Sequence, residues 1–149
     1  MLEKIRPYLL PIAFLQAVVA MAGSLYFSEV MHLVPCVLCW YQRITMYPIV
    51  AILLVGMYFE DSKVYRYVLP LSLIGFFIAT YHVVLYYGVN WGIRPDWVGP
   101  CVAGVSCTTR YIEWFGFITI PLLSLVAHLV ITILMGLVWK AEKKSSPAS

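Results

Sequence analysis

From Tyr67 to Tyr87 the chain runs without a single Asp, Glu, Lys or Arg, and so do the stretches Tyr8 to Phe27 and Phe115 to Trp139. A fourth apolar run, Tyr41 to Phe59, holds one such residue, Arg43. Each approaches or exceeds the roughly 18 residues read as a membrane span, and about 20 residues at 1.5 Å rise cover the ~30 Å hydrocarbon core. Backbone groups in lipid must pair with one another, so only helices and closed β-barrels cross. Barrel strands alternate in polarity over about ten residues, whereas IVAILLVGMYF and LVAHLVITILMGLV are apolar all round. The expected fold is all-α, a bundle of four transmembrane helices.

Composition bounds the function classes. Hydrophobic residues make up 62% of the 149 and charged residues 11%, too few charges to coat a soluble domain, where about 25% is usual. Disorder requires the opposite balance. Ten Lys and Arg against seven Asp and Glu leave a formal +3 with no concentrated basic face, which argues against nucleic-acid binding.

The charges report topology instead. Lys4, Arg6, Lys63, Arg66, Lys140, Lys143 and Lys144 flank one side of a four-span arrangement, against Arg94, Arg110 and the helix-borne Arg43 on the other. The positive-inside rule then places both termini and the EDSKVYR loop in the cytoplasm. Residues 1–139 form the membrane domain, with outward loops at 28–40 and 88–114. The tail 140–149, KAEKKSSPAS, is expected to be disordered and solvated, its lysines near anionic headgroups. Tyr and Trp near the span ends, such as Tyr8, Tyr26, Trp40 and Trp139, suit interfacial belts. A signal peptide is the rival reading of the first span, because Ala20-Met21-Ala22 resembles a cleavage site; it leaves the loops on the same sides.

All four cysteines fall in the outward loops: Cys36 and Cys39 before the second span, Cys101 and Cys107 before the fourth. An even number of thiols in an oxidising compartment implies disulfides. Loop staples are the plain reading. A C-x-x-C ring is too small to restrict the unfolded chain much and suits redox exchange, and the loop closed by Cys101 and Cys107 is also short. With Trp40 taken as the helix start, Cys39 lies near a helix N-terminus, where free N–H groups and the dipole favour a thiolate. Arg43 follows one turn later on the same face. Alone, that arginine would more often reach for headgroups; beside Cys39 it suits a thiolate and the carbonyl of a reducible ligand.

The string Val34-Pro35-Cys36-Val37-Leu38-Cys39-Trp40-Tyr41-Gln42-Arg43 at the head of a span, with a second cysteine pair in the next outward loop, resembles the DsbB family of membrane thiol:disulfide oxidoreductases. Gly23 to Glu29 and Trp114 to Pro121 look closest to its short BdbC-like branch. The resemblance covers nearly all of the chain but the tail. It implies a multi-pass protein of a bacterial cell membrane, in a Gram-positive-type envelope, that reoxidises a DsbA-like thioredoxin-fold partner and passes two electrons to a quinone, menaquinone or ubiquinone. Carried across, Cys101 takes the partner's thiol in a mixed disulfide, Cys107 is the leaving sulfur that exchanges with Cys36, Cys39 contacts the quinone, and Arg43 orients it. Longer members part the second pair by an amphipathic segment; here five residues separate Cys101 from Cys107.

Two other classes remain open: a membrane protein holding zinc or copper on its thiolates, and a four-span scaffold with inert bridges. The metal reading lacks the two C-x-x-C pairs of a ribbon site, and no metal ligand is assigned. His82, near the outward end of the third span, is read as a cofactor-binding residue facing a quinone carbonyl, although an interhelical hydrogen bond is the commoner role. His128, midway along the fourth span, is expected to be structural, and His32 is a loop residue. Pro48 and Pro121 are expected to kink their helices.

Overall fold

A computed structural model of the protein describes residues 2–61, 63–93, 105–111 and 118–145, with side chains from 7 to 144. Four long helices follow one another: α1 (Leu2–Leu25), α2 (Val37–Tyr58), α3 (Tyr65–Asn90) and α4 (Ile120–Ser145). Each is long and apolar enough to cross a membrane, as the four charge-free or nearly charge-free runs require. They stand in a ring in chain order, α1 against α2, α2 against α3, α3 against α4 and α4 back against α1.

The main apolar core runs through the half of the bundle nearer the termini. Ala13, Ala17, Ile49, Leu53, Val68, Ile131 and Met135 are completely shielded there. Lipid is as apolar as these side chains, so close packing and interhelical hydrogen bonds hold the helices together. Small residues let the backbones approach. At Gly75 on α3 a Cβ would collide with the His128 ring of α4 and crowd the Thr45 hydroxyl of α2.

Helix ends differ from the expected spans in instructive ways. α1 passes into a π-helical turn, Tyr26–Val30. The Ser28 hydroxyl reaches back to the carbonyls of Ser24 and Leu25, at 3.4 and 3.3 Å, a local side-chain bond that competes with the regular ladder. α2 begins at Val37, not Trp40, so Cys39 lies inside the first turn. Pro121 is the second residue of α4, where proline lacks no needed hydrogen bond; it starts the helix rather than kinking it. α4 continues to Ser145, so the boundary expected at Trp139 falls within a helix. Ala141 is buried there, Lys143 and Lys144 sit in the last turn where cations favour the dipole, and residues 146–149 lie outside the described residues.

Candidate functional site

At the end of the bundle away from the termini, the segment from Met31 to Cys36 and the segment 105–111 are held against the ends of α2 and α3. Asn90, the last residue of α3, organises this closure. Its amide donates to the carbonyls of Tyr86 (2.8 Å) and Thr108 (3.2 Å), and its Oδ1 accepts from Arg110 Nε at 2.7 Å. The Tyr111 hydroxyl donates to the Val34 carbonyl at 3.4 Å, joining the two cysteine-bearing segments. Cys107 is thereby buried beside Cys36, Leu38 and Leu85.

Cys36 caps α2. Its backbone is extended, at φ −72° and ψ 171°, and its sulfur accepts the Cys39 N–H at 3.4 Å, the place a Ser or Asp oxygen takes at an ordinary N-terminus. The helix-end amide expected to favour Cys39 thus serves Cys36. The two sulfurs are 2.9 Å apart and both residues are free thiols, while Cys107 is disulfide-bonded. Cys101 lies outside the described residues.

The hydrogen bond with the Cys39 thiol is the largest influence on Cys36. Burial opposes it, the His82 contact adds to it, and the net effect holds Cys36 well below the usual thiol range. Cys36 is therefore the more readily ionised thiol of the pair.

His82 sits between the two cysteine segments and is almost fully shielded. Its Nε2 lies 3.1 Å from the Cys107 carbonyl and 3.9 Å from Cys36 Sγ; its Nδ1 lies 3.0 Å from Gln42 Nε2. A carbonyl only accepts, so Nε2 carries the proton, and Nδ1 accepts from the Gln42 amide. The sulfurs of Cys36 and Cys107 and a ring nitrogen of His82 all lie within 4.8 Å of one another. The interhelical hydrogen bond expected of His82 is present, and so is a sulfur partner.

Arg43 reaches across to α1. Its Nε donates to Ser24 Oγ at 2.9 Å and its Nη2 to the Ser24 carbonyl at 2.8 Å, with the guanidinium carbon 5.5 Å from the Trp40 ring centroid.

These residues line one cavity of about 330 Å³ between α1, α2, α3 and α4, within the usual range for small-molecule sites. Cys36, Cys39, Arg43, His82 and Cys107 share its walls with Tyr47 and His128. The His128 ring is fully buried, its Nδ1 2.9 Å from the Ser124 carbonyl and its Nε2 3.1 Å from Thr45 Oγ1. His32 lies outside the cavity, exposed and with φ +54°. Reading the sequence missed Gln42, Ser24, Thr45 and Tyr47. Gln42 and Tyr47 had a signal: they fall three and eight residues after Cys39, within a helix turn or two of its face.

A family model described as disulfide bond formation protein DsbB matches residues 6–138. The chain is 50% identical over 128 residues to disulfide bond formation protein C of Bacillus subtilis (strain 168), covering 85% of this chain and 88% of that one. It is 44% identical over 143 residues to a probable disulfide formation protein C 2 of Bacillus cereus, covering 96% and 99%. A probable disulfide formation protein C of Halalkalibacterium halodurans is 46% identical over 121 residues, covering 81% and 85%. No solved structure matches the chain. Thiols paired for exchange at one end of a four-helix membrane bundle, and a family match over most of the length, have one consequence: this chain belongs to the DsbB family of disulfide bond formation proteins, multi-pass membrane proteins of thiol–disulfide oxidation.

Proposed function

We propose that the chain oxidises the dithiol of an extracytoplasmic, DsbA-like thioredoxin-fold protein and passes the two electrons to a membrane quinone. The observation that carries this reading is the approach of the Cys36 and Cys107 sulfurs to within 4.8 Å of each other beside His82, in the wall of a cavity between the helices. The positive-inside pattern supports cytoplasmic termini, with the cysteine end facing outward.

In this reading the partner's thiolate attacks Cys101 of the Cys101–Cys107 bridge, forming a mixed disulfide and releasing Cys107 as a thiolate. Cys107 then attacks Cys36 of the oxidised C-x-x-C pair. The Cys36–Cys107 bond forms, the Cys36–Cys39 bond breaks, and Cys39 is left as a thiolate in the cavity wall. The partner's second thiol closes its own disulfide by displacing Cys101, which in turn displaces Cys36 from Cys107. Cys36 leaves readily because the Cys39 N–H and His82 Nε2–H face its sulfur, and a better-stabilised thiolate is a faster leaving group. Gln42 fixes the tautomer that makes this possible.

The residues present fit a quinone. The cavity wall is largely apolar, from Val19 and Phe27 to Met46 and Ala127, with Arg43 and Tyr47 among its polar members. The Tyr47 hydroxyl is buried and, among the described residues, has no hydrogen-bond partner, an arrangement that costs about 1–3 kcal/mol unless a ligand relieves it. When bound, a quinone supplies the oxidising power by accepting two electrons and two protons. Arg43, held rigid by Ser24, orients a carbonyl oxygen, and Cys39 lies one turn above it.

The test is purified protein in detergent with a reduced thioredoxin-fold partner and a short-chain quinone. Catalytic partner oxidation is expected, lost in Cys39→Ser and Cys107→Ser with helix content unchanged. Arg43→Ala should raise the KM for quinone more than that for the partner. Full turnover in either serine variant would falsify the scheme.

A further inference from the structure

A lone C-x-x-C pair supplies two thiolates, half of what a closed zinc site needs. The fold brings the rest. Cys36 Sγ is 2.9 Å from Cys39 Sγ and 3.9 Å from His82 Nε2, and Cys107 Sγ joins Cys36 and the His82 ring within 4.8 Å. In a tetrahedral site with Zn–S of about 2.3 Å and Zn–N of about 2.0–2.1 Å, ligand atoms stand roughly 3.5–3.8 Å apart. Cys36, His82 and Cys107 are within about one ångström of that arrangement, Cys39 adjoins it through its 2.9 Å approach to Cys36, and a common cavity gives an ion its way in.

We propose that the reduced chain binds one zinc-class divalent cation through Cys36, Cys39, Cys107 and His82, and that the bound ion arrests disulfide exchange. Gln42 is the supporting group. Its amide now donates to Nδ1 of His82; turned by half a rotation, its Oε1 accepts an Nδ1–H and frees Nε2 for the metal. Metal-bound histidines are usually oriented by such a partner on the other nitrogen.

The site forms only after reduction, because a bridged Cys107 sulfur has no thiolate to offer. A dithiol, such as the partner protein's, gives two electrons to the bridge and becomes a disulfide, and the bridge becomes two thiols. The cation then forms three bonds to sulfur and one to nitrogen, and the thiol protons pass to water. In physiological terms the ion would hold back an enzyme that has collected electrons it cannot discharge. The arrest depends on the exchange reading given above; the binding does not.

Full-length protein in detergent, reduced with a phosphine and freed of it, is titrated with Zn²⁺ against a chromogenic chelator. Cd²⁺ is used in parallel, because the ultraviolet thiolate-to-metal band counts the sulfurs bound. Expected are one ion per reduced chain, none per oxidised chain, and three thiolates per Cd²⁺. The count should fall to two in Cys107→Ser and stay at three in Cys101→Ser. Gln42→Ala should weaken binding by about 10–100-fold, and His82→Ala by more. A count of two in the wild-type chain, equal losses in the two serine variants, or equal zinc uptake by reduced and oxidised chains overturns the site. Zinc-loaded protein should not exchange with a reduced partner until chelator is added; unhindered exchange overturns the arrest. Failure of the metal-free chain to exchange at all strikes the exchange reading alone and leaves the thiolate count to decide the site.

Discussion

The two ends of the bundle are built on different principles. Toward the termini, thirteen of the described residues, from all four helices and the α2–α3 turn, are buried and interlock, most of them plain aliphatic side chains with no chemistry to offer. Toward the other end, among the described residues, the buried cluster is Cys36, Leu38, Leu85 and Cys107. Around it lie His82, Gln42, Thr45 and His128, all buried and hydrogen-bonded. One end is held by shape, the other by a few directed contacts whose members must also react. Mutations at the two ends should therefore part stability from reactivity.

The largest effect belongs to the sulfur end. Cys36→Ser should reduce partner oxidation to background while leaving the thermal midpoint in detergent nearly unchanged, since sulfur and hydroxyl are similar in size and either can cap α2. A large drop in the midpoint would mean that the cysteine cluster holds the bundle together, and the contrast would collapse.

The pH dependence of Cys36 sharpens the same point. A thiol held below its usual range is more ionised at neutral pH than a free one, so its alkylation by a small reagent should rise less steeply with pH between 5 and 8 and be lost only at more acid pH. An ordinary thiol gains about tenfold per unit up to roughly 8.5. The slope matters more than the absolute rate, because nucleophilicity falls along with pKa. Cys39→Ala removes the largest lowering influence and should steepen that rise; an unchanged profile would assign the effect elsewhere.

At the other end, Leu53→Ala opens a cavity in the fully shielded core and should cost about 2–5 kcal/mol, read from unfolding in mixed micelles, with the Cys36 profile untouched. Gly75→Ala probes the seam between the regions. Its Cβ must displace the His128 ring and the Thr45 hydroxyl, for about 1–3 kcal/mol of strain. Because Thr45 bonds the Gln42 carbonyl at 2.8 Å, quinone affinity should fall too. Loss of stability with unaltered affinity would confine the effect to packing.

This division also decided what could be read from the chain. Long apolar runs and the charges between them reveal four helices because lipid imposes both on the sequence directly. The cysteines and Arg43 were visible through their spacing. Their partners were not: Ser24 meets Arg43 across nineteen residues and Gln42 meets His82 across forty, and neither pairing leaves a local trace. The earlier start of α2 has a local cause. Val37 and Leu38 are apolar, and with the helix begun at Trp40 they read as loop; begun at Val37, the same string makes Cys36 the cap and Cys39 the donor of the N–H it accepts.

Tyr47 gives the smallest and most selective test. Its hydroxyl is sealed from solvent and unpartnered among the described residues, yet the residue belongs to the cavity wall and lies one turn beyond Arg43 on α2. Tyr47→Phe removes one oxygen and little else. If the hydroxyl is only a packing defect, the change relieves an unpaired polar group, stabilises the protein by about 1 kcal/mol, and leaves quinone binding alone. If it waits for a carbonyl of the ring, the same gain in stability of the quinone-free protein comes with a loss of affinity of about tenfold, worth about 1.4 kcal/mol. Measuring the thermal midpoint without quinone and the dissociation constant of a short-chain quinone on one preparation separates the two. An unchanged constant would leave Arg43 to orient the ring without help from Tyr47, and the polar reach of the cavity would end one turn nearer the cysteines.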